Sequence, residues 1–214
     1  MTAALTEPSH SWQLQHHKTD SLPGLPLFSE RLKVRLFCRE DEARRQAWAK
    51  FAEPYLAKYN FVPRRFEANQ INFQRLRDRI RLAVDDPTGQ LVGYVSLKPI
   101  EAAVPTAELG ICFAADRIGQ GYGREALGLV LPWAKEMLAL HRIILQVDEV
   151  NRRALNLYRT FGFKIVGETW NREDNPALRA LLCQRGDVPG CRWKNNHLEV
   201  LSWIMEWKPD EAAD

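Results

Sequence analysis

The chain has 214 residues, 45% of them apolar and 27% charged, enough apolar material for one sizeable core. A formal net charge of +3 is too small to mark a nucleic-acid binder. No run of eighteen apolar residues exists to span a membrane, and Met1–Ser11 lacks the apolar stretch of a secretory leader, so a cytoplasmic protein is expected.

Residues 1–27 carry Pro8, Pro23, Gly24 and Pro26 without periodicity and read as a flexible tail. Residues 28–208 read as the domain, and 209–214 as a short C-terminal tail. Leu32–Cys38 alternates apolar and basic residues, as a strand does. Ala43–Ala57 reads as a helix, broken near Pro54 into two short ones. Phe66–Ile80 suggests another helix. Ile80–Val84 and Leu91–Leu97 flank the turn DDPTGQ and read as a hairpin. Thr106–Ala114 is the next strand.

Gly121–Leu140 is a long amphipathic helix with Ala126, Leu127, Val130, Leu131, Ala134, Met137 and Leu138 at helical spacing. Pro132 removes one hydrogen bond and presses on Gly128, predicting a kink. Arg142–Val147 (RIILQV) is almost continuously apolar, predicting a strand buried on both faces. Asn151–Phe161 reads as a short helix, Phe163–Glu168 as a strand and Leu198–Trp207 as the last strand. Residues 171–196 read as an irregular insertion or lid. This order predicts a mixed α/β sheet in one domain.

Ile118-Gly119-Gln120-Gly121-Tyr122-Gly123-Arg124 lies between a strand and the long helix. Its glycines let the backbone turn sharply and approach a ligand. The first helical N–H groups lack internal partners and, with the helix dipole, attract an anion such as a diphosphate. Arg117 and Arg124 add charge. A rival fits the same residues: Gly121 to Ala126 matches G-x-G-x-x-A, with Asp148 at the end of the following strand to hold a ribose. Against it, Ala115–Ile118 separates the strand from the glycines, and repeated strand-helix units are missing.

From Glu108 to Glu168 the chain resembles the GCN5-related N-acetyltransferases (GNAT). The resemblance rests on AELGICFAADRIGQGYGREAL and NRRALNLYRTFGFKIVGE. They are similar to the family's coenzyme A motif, Q/R-x-x-G-x-G/A, and to its N-x-x-A-x-x-x-Y-x-x-x-G-F motif. The branch that includes ribosomal-protein N-terminal acetyltransferases looks closest. One position departs: Ile118 stands where the family usually has Gln or Arg.

The resemblance implies an α/β (α+β) fold with a mostly antiparallel central sheet of about seven strands flanked by helices. It implies acetyl-coenzyme A as co-substrate, no metal, a primary-amine acceptor on a small molecule or a protein N-terminus, and a homodimer. Ile111, Cys112 and Phe113 would pair with the pantetheine arm. Gly119, Gln120, Gly121, Tyr122, Gly123 and Arg124 would cradle the diphosphate. Asn151 would contact pantetheine, and Tyr158 would be the general acid.

The chemistry needs a neutral amine, a stabilised carbonyl oxygen and a thiolate that leaves. Amines have ordinary pKa values of about 8 at an N-terminus and about 10.4 on lysine, so a base is useful. Glu108, opening the central strand, is the candidate base, with Asp148 and Glu149 as second candidates. A phenol such as Tyr158 can protonate a departing thiolate and stay protonated between turnovers. N–H groups at a strand bulge over Ile111–Phe113 would bind the developing oxyanion. A regulatory module that binds coenzyme A without turnover is the alternative.

Four cysteines, Cys38, Cys112, Cys183 and Cys191, match no paired metal spacing and read as free thiols. Cys183 and Cys191 are the pair an oxidising compartment would join. His197 beside them fits no known metal site either. Trp193, Trp203 and Trp207 would pack the last strand or line an acceptor pocket. Arg75, Arg77, Arg79 and Arg81 read as a solvated face.

Overall fold

The structure, a computed structural model, describes residues 22–60, 79–99, 104–186 and 188–209. The hairpin DDPTGQ forms as expected because Asp86 organises its own turn. Its Oδ1 accepts from the Thr88 and Gln90 N–H groups at 2.9 and 3.1 Å. On either side lie β3 (Ile80–Asp85) and β4 (Leu91–Pro99), paired antiparallel.

Seven more strands extend this hairpin among the described residues: β1 (Leu27–Phe28), β2 (Lys33–Leu36), β5 (Thr106–Phe113), β6 (Arg142–Asp148), β7 (Lys164–Glu173), β8 (Cys191–Lys194) and β9 (His197–Trp207). Their order is β1-β2-β3-β4-β5-β6-β9-β7, with β8 also on β9. Only β5 and β6 run parallel; the other neighbours are antiparallel. The two strands beyond the expected seven are the short β1 and β8. The doubly wound parallel sheet of a dinucleotide fold is thereby ruled out.

Four helices accompany the sheet among the described residues: α1 (Arg39–Gln46), α2 (Tyr122–Leu138), α3 (Arg152–Thr160) and α4 (Pro176–Arg185). Ala126, Leu127, Val130, Leu131 and Ala134 bury one stripe of α2 against the sheet, at the predicted spacing. Met137 is exposed instead. The helix runs through Pro132 without interruption. Trp133 turns the other way, to the N-terminal arm. Its indole N–H donates to Pro23 O at 2.9 Å, and Gly24 lies against its ring. The arm is therefore already held from Leu22 on.

Several expectations fail for local reasons. The first helix is Arg39–Gln46, not Ala43–Ala57. Asp41 reaches back to the Cys38 N–H at 2.9 Å and starts the helix early. Trp48 ends it by donating its indole N–H to Leu91 O at 2.9 Å. The helix expected at 66–80 lies outside the described residues except at its end, where Ile80 opens β3. Strand β6 is buried on one face only: Ile143, Leu145 and Val147 point inward, while Arg142 and Gln146 are exposed.

Segment 171–196 is not irregular. It holds the end of β7, then α4 and β8. Asn175 caps α4, its Oδ1 accepting from Ala177 and Leu178, with Pro176 in the first turn. Leu178 and Leu182 pack with Leu198 and Val200 as a second small core. Arg81 is no solvated residue. Its guanidinium donates to Glu42 at 2.6 Å and lies over the Phe37 and Tyr94 rings. Arg75 and Arg77 lie outside the described residues.

Candidate active site

Strands β5 and β6 pair at three rungs, Thr106 to Arg142, Ala107 to Ile143 and Glu108 to Ile144. Beyond Glu108 they share no rung, although β5 runs on to Phe113 and β6 to Asp148. The edge of β5 toward β6 thus carries backbone donors and acceptors with no strand opposite, which an extended amide-bearing ligand can use. On its other side β5 keeps one continuous register with β4 from Gly93–Phe113 to Pro99–Ala107. The bulge expected at Ile111–Phe113 is therefore not present, and the splayed β5/β6 edge stands in its place.

A cavity of about 430 Å³ fills the split. Ile111, Cys112 and Phe113 form one wall and Val147 with Asn151 another. The glycine turn closes one end. Gly119 and Gly121 have φ of +79° and +86°, left-handed values that a side chain disfavours. They swing the chain from the turn at Ala115–Arg117 into α2 so that the helix N-terminus meets the cavity. At Gly123 a Cβ would press on Leu157 Cδ2 at 3.0 Å. Arg124 and Arg153 are exposed side chains on the same wall. Arg117 lies there too but is engaged by Gln90 and the Asp86 carboxylate.

Asn151 caps α3, its Oδ1 accepting from Ala154 N–H at 3.2 Å. Two turns on, Tyr158 is buried, packed on Phe163 at 5.6 Å, and reaches the cavity. Burial pushes its phenol well above the usual range, with Tyr59 and Cys112 adding to the effect. It stays protonated across the neutral range. Burial likewise pushes the Cys112 thiol up to about 11, so this is no ready thiolate.

The opposite end is closed by a loop that carried no sequence signal. Residues 51–60 fold back on themselves: Asn60 accepts from Phe51 N–H at 2.6 Å and donates to Phe51 O at 3.1 Å. Phe51, Leu56 and Tyr59 face the cavity. Next to Tyr59, Lys58 forms an ion pair with the buried carboxylate of Asp148. The second Asp148 oxygen accepts from Ser202 Oγ at 2.8 Å. Asn175 donates to Pro54 O at 2.5 Å and fixes the loop from the α4 side.

Of the residues expected at the site, Ile111, Cys112, Phe113, Gly119, Gly121, Tyr122, Gly123, Arg124, Asn151 and Tyr158 line this one cavity. Gln120 does not; its side chain donates to Asp116 O at 2.8 Å. Glu108 does not either. It belongs to the last rung before the split and its side chain is exposed. The other candidate bases are engaged elsewhere, Asp148 with Lys58 and Ser202, Glu149 with Arg152 and Trp203. Among the described residues, the cavity wall carries no carboxylate. Trp193, Trp203 and Trp207 are absent from it; Trp207 is core and stacks on Phe163. The four cysteines are free, and no group of three or more metal-ligating side chains occurs among the described residues.

A family model described as an acetyltransferase (GNAT) domain matches residues 31–164, and the chain belongs to this family. The spermidine N(1)-acetyltransferase of Vibrio cholerae serotype O1 is 34% identical over 83 residues, 39% of this chain and 48% of that protein. The enzyme of that name from Escherichia coli K12 is 30% identical over 119 residues, 55% of this chain and 60% of that one. The chain thus spans only about half to three fifths of the length of these relatives. Among solved structures, spermidine N-acetyltransferase from Vibrio cholerae in complex with CoA and spermine superposes with a TM-score of 0.64 at 20% identity, covering 87% of this chain and 100% of that one. A GNAT-family acetyltransferase from Bacillus anthracis gives 0.62 at 17%, with the same coverage. At such identities the likeness is one of fold. The relatives named are spermidine acetyltransferases, so these matches do not carry the expected kinship with the ribosomal-protein branch.

Proposed function

We propose that the protein is an acetyl-coenzyme A-dependent N-acetyltransferase whose acceptor is a small cationic amine of the polyamine kind. The observation that carries this is the split sheet. One cavity joins a helix N-terminus built for a diphosphate, a free strand edge suited to an amide-bearing arm, and a buried phenol. Acetyl-coenzyme A has that sequence of parts: a diphosphate, two amides, then the reactive thioester.

When bound, the coenzyme supplies an activated acetyl group. The chain's own groups hold and orient it. Gly121 and Tyr122 N–H groups receive negative charge, and the β5 edge beyond Glu108 receives amides. The acceptor nitrogen, once its ammonium proton has gone to water, attacks the thioester carbon and the carbon–sulfur bond breaks. Tyr158 gives its proton to the sulfur, and the second proton lost by nitrogen passes to water. The phenol is reprotonated from solvent. With no carboxylate on the described cavity wall, Glu108 is given no part in proton removal.

The acceptor class rests on the named relatives, which are spermidine N(1)-acetyltransferases. Lys58 is itself a primary ammonium held by Asp148. Burial works against its charge, but Tyr59, Asp148 and Glu173 together outweigh this and hold its pKa above the ordinary value. Asp148 is thus already matched by Lys58, so this pair fixes the loop rather than binding the acceptor.

The test is titration calorimetry with coenzyme A, followed by free-thiol release from acetyl-coenzyme A with spermidine, spermine, a free amino acid and a ribosomal-type N-terminal peptide. Saturable coenzyme A binding with polyamine-dependent thiol release is expected. Binding without turnover on any amine would favour the regulatory reading. Turnover on the peptide alone would move the acceptor to protein N-termini.

A further inference from the structure

The glycine turn is held by a residue outside the cavity. Among the described residues, the hydrogen bonds and ring contact of Arg31, in the β1–β2 connection, go to the turn and the first helical residues behind it. Its Nε and Nη2 donate to Glu125 Oε2 at 2.9 and 2.6 Å, and its backbone N–H to Oε1 at 3.0 Å. Ser29 Oγ adds a bond to Oε1 at 2.5 Å. The remaining Nη1 donates to Gln120 O at 3.1 Å. The guanidinium carbon lies over the Tyr122 ring, 5.1 Å from its centre, and Tyr122 stacks on Phe113 in the cavity wall at 6.4 Å.

The bond to Gln120 O has a directional consequence. A peptide unit is planar and trans, so its C=O and the following N–H point opposite ways. Drawing the Gln120 carbonyl toward Arg31 turns the Gly121 N–H away from Arg31, and Gly121 is a cavity residue. Gly121, at φ +86°, has nothing of its own to hold that peptide. The ion pair has a second effect. Glu125 places a carboxylate in the first turn of α2, where it would repel a bound anion. Arg31 and Ser29 saturate both its oxygens and turn them toward the β1–β2 connection.

We infer that Arg31 is a positioning residue for the coenzyme: it aims the Gly121 N–H into the cavity and neutralises Glu125, so the turn is set for a diphosphate before the ligand arrives. This rests on the reading of the turn as a diphosphate cradle. It makes the N-terminal hairpin, which carries Ser29 and Arg31, part of the coenzyme site.

The experiment compares wild type with Arg31→Ala and Arg31→Lys, using calorimetry with coenzyme A and initial rates with two donors. One donor is acetyl-coenzyme A. The other, S-acetylpantetheine, has the same thioester arm and no diphosphate. Arg31→Ala is expected to raise the Kd for coenzyme A and the KM for acetyl-coenzyme A about tenfold, the worth of one charged or oriented hydrogen bond. kcat should stay within about twofold and kcat/KM for S-acetylpantetheine should not change. Arg31→Lys should fall between, because an ammonium cannot reproduce the fork or the stacking. If the alanine variant does not fold, the lysine variant decides by the same two donors. Unchanged coenzyme A affinity in a folded variant overturns the inference, as does an equal loss with both donors, which marks general loosening. If wild type itself binds no coenzyme A, the cradle reading falls and the inference falls with it.

Discussion

The two ends of the cavity are built from different materials. The turn end consists of main-chain groups from one short stretch, Gly119 to Gly123, held from behind by a single arginine. The 51–60 end is held by pairs drawn from distant parts of the chain: Lys58 on Asp148, Asp148 on Ser202, Pro54 on Asn175. Backbone donors give a fixed geometry that reads charge and little else. A loop pinned by side-chain pairs can be altered one contact at a time, and it is where acceptor preference resides under the proposed function. The expected signatures differ accordingly. Changes at the turn should move coenzyme affinity, changes at the loop should move acceptor KM, and only Tyr158, between the two, should move turnover alone.

The largest effect tests that middle position. Tyr158→Phe removes the hydroxyl and keeps the ring on Phe163. Turnover should fall roughly 10²- to 10⁴-fold, the usual contribution of a positioned proton donor. The Kd for coenzyme A should stay within about twofold. Because burial raises the phenol above its ordinary value of 10.0, no downward limb from Tyr158 should appear in the wild-type rate profile below that pH. Unchanged turnover in the phenylalanine variant, or an equal loss of coenzyme affinity, would break the three-part division.

Next in size is Gly121→Val. A β-branched residue at φ +86° costs about 1–2 kcal/mol, and its Cβ would lie 3.3 Å from Arg31 Nη2. The loss should appear as a coenzyme Kd raised roughly five- to thirtyfold, measured by calorimetry, with the acceptor KM little changed. Its counterpart at the other end is Asp148→Asn. Breaking a buried pair can cost about 3–5 kcal/mol, but Lys58 is a third exposed, which lowers the expectation to about 1–2 kcal/mol. Urea unfolding should report that loss. The acceptor KM should rise several-fold while coenzyme affinity holds. A shift in coenzyme Kd with Asp148→Asn would mean that the two ends are one coupled structure.

The same contrast explains what could be read from the chain. The turn, the helix behind it and the Asn151–Tyr158 helix are contiguous, and their glycine spacing, capping and 3.6-residue period are local signals. Helix α4 is missed by a reading of its segment as irregular, although its signal is local: Asn175 followed by Pro176 is a cap and a first-turn proline among polar residues. The 51–60 loop has no such signal. Its closure depends on Asn60 meeting Phe51, and its position on Asp148, 90 residues from Lys58. Arg31 was hidden for the same reason, lying 94 residues from Glu125. Glu108 lies outside the cavity because a strand's position in the chain does not say where the sheet splits. The split begins one residue later, at Leu109.

The smallest expected effect sets the two ends against each other through pH. Burial works to raise Glu125, but the Ser29 hydroxyl and the Arg31 backbone and guanidinium outweigh it and hold the carboxyl below its ordinary value of 4.5. A carboxyl lowered on folding contributes stability that is present above 4.5 and lost as pH falls through the lowered value. Lys58 is held above its ordinary 10.5, so its contribution is present below 10.5 and lost as pH rises through the raised value. Acid should therefore loosen the turn end, and alkali the loop end. Glu125→Gln keeps the shape and removes the charge. At pH 7 it should cost about 1 kcal/mol, or about 2–4 °C in Tm, and that gap should close on acidification below 4.5. The gap between wild type and Lys58→Met should instead close as pH rises through the raised Lys58 value. A Glu125 gap that persists in acid would mean that Arg31 holds the turn by shape, through Gln120 and the Tyr122 ring, and that the charge adds nothing to its grip.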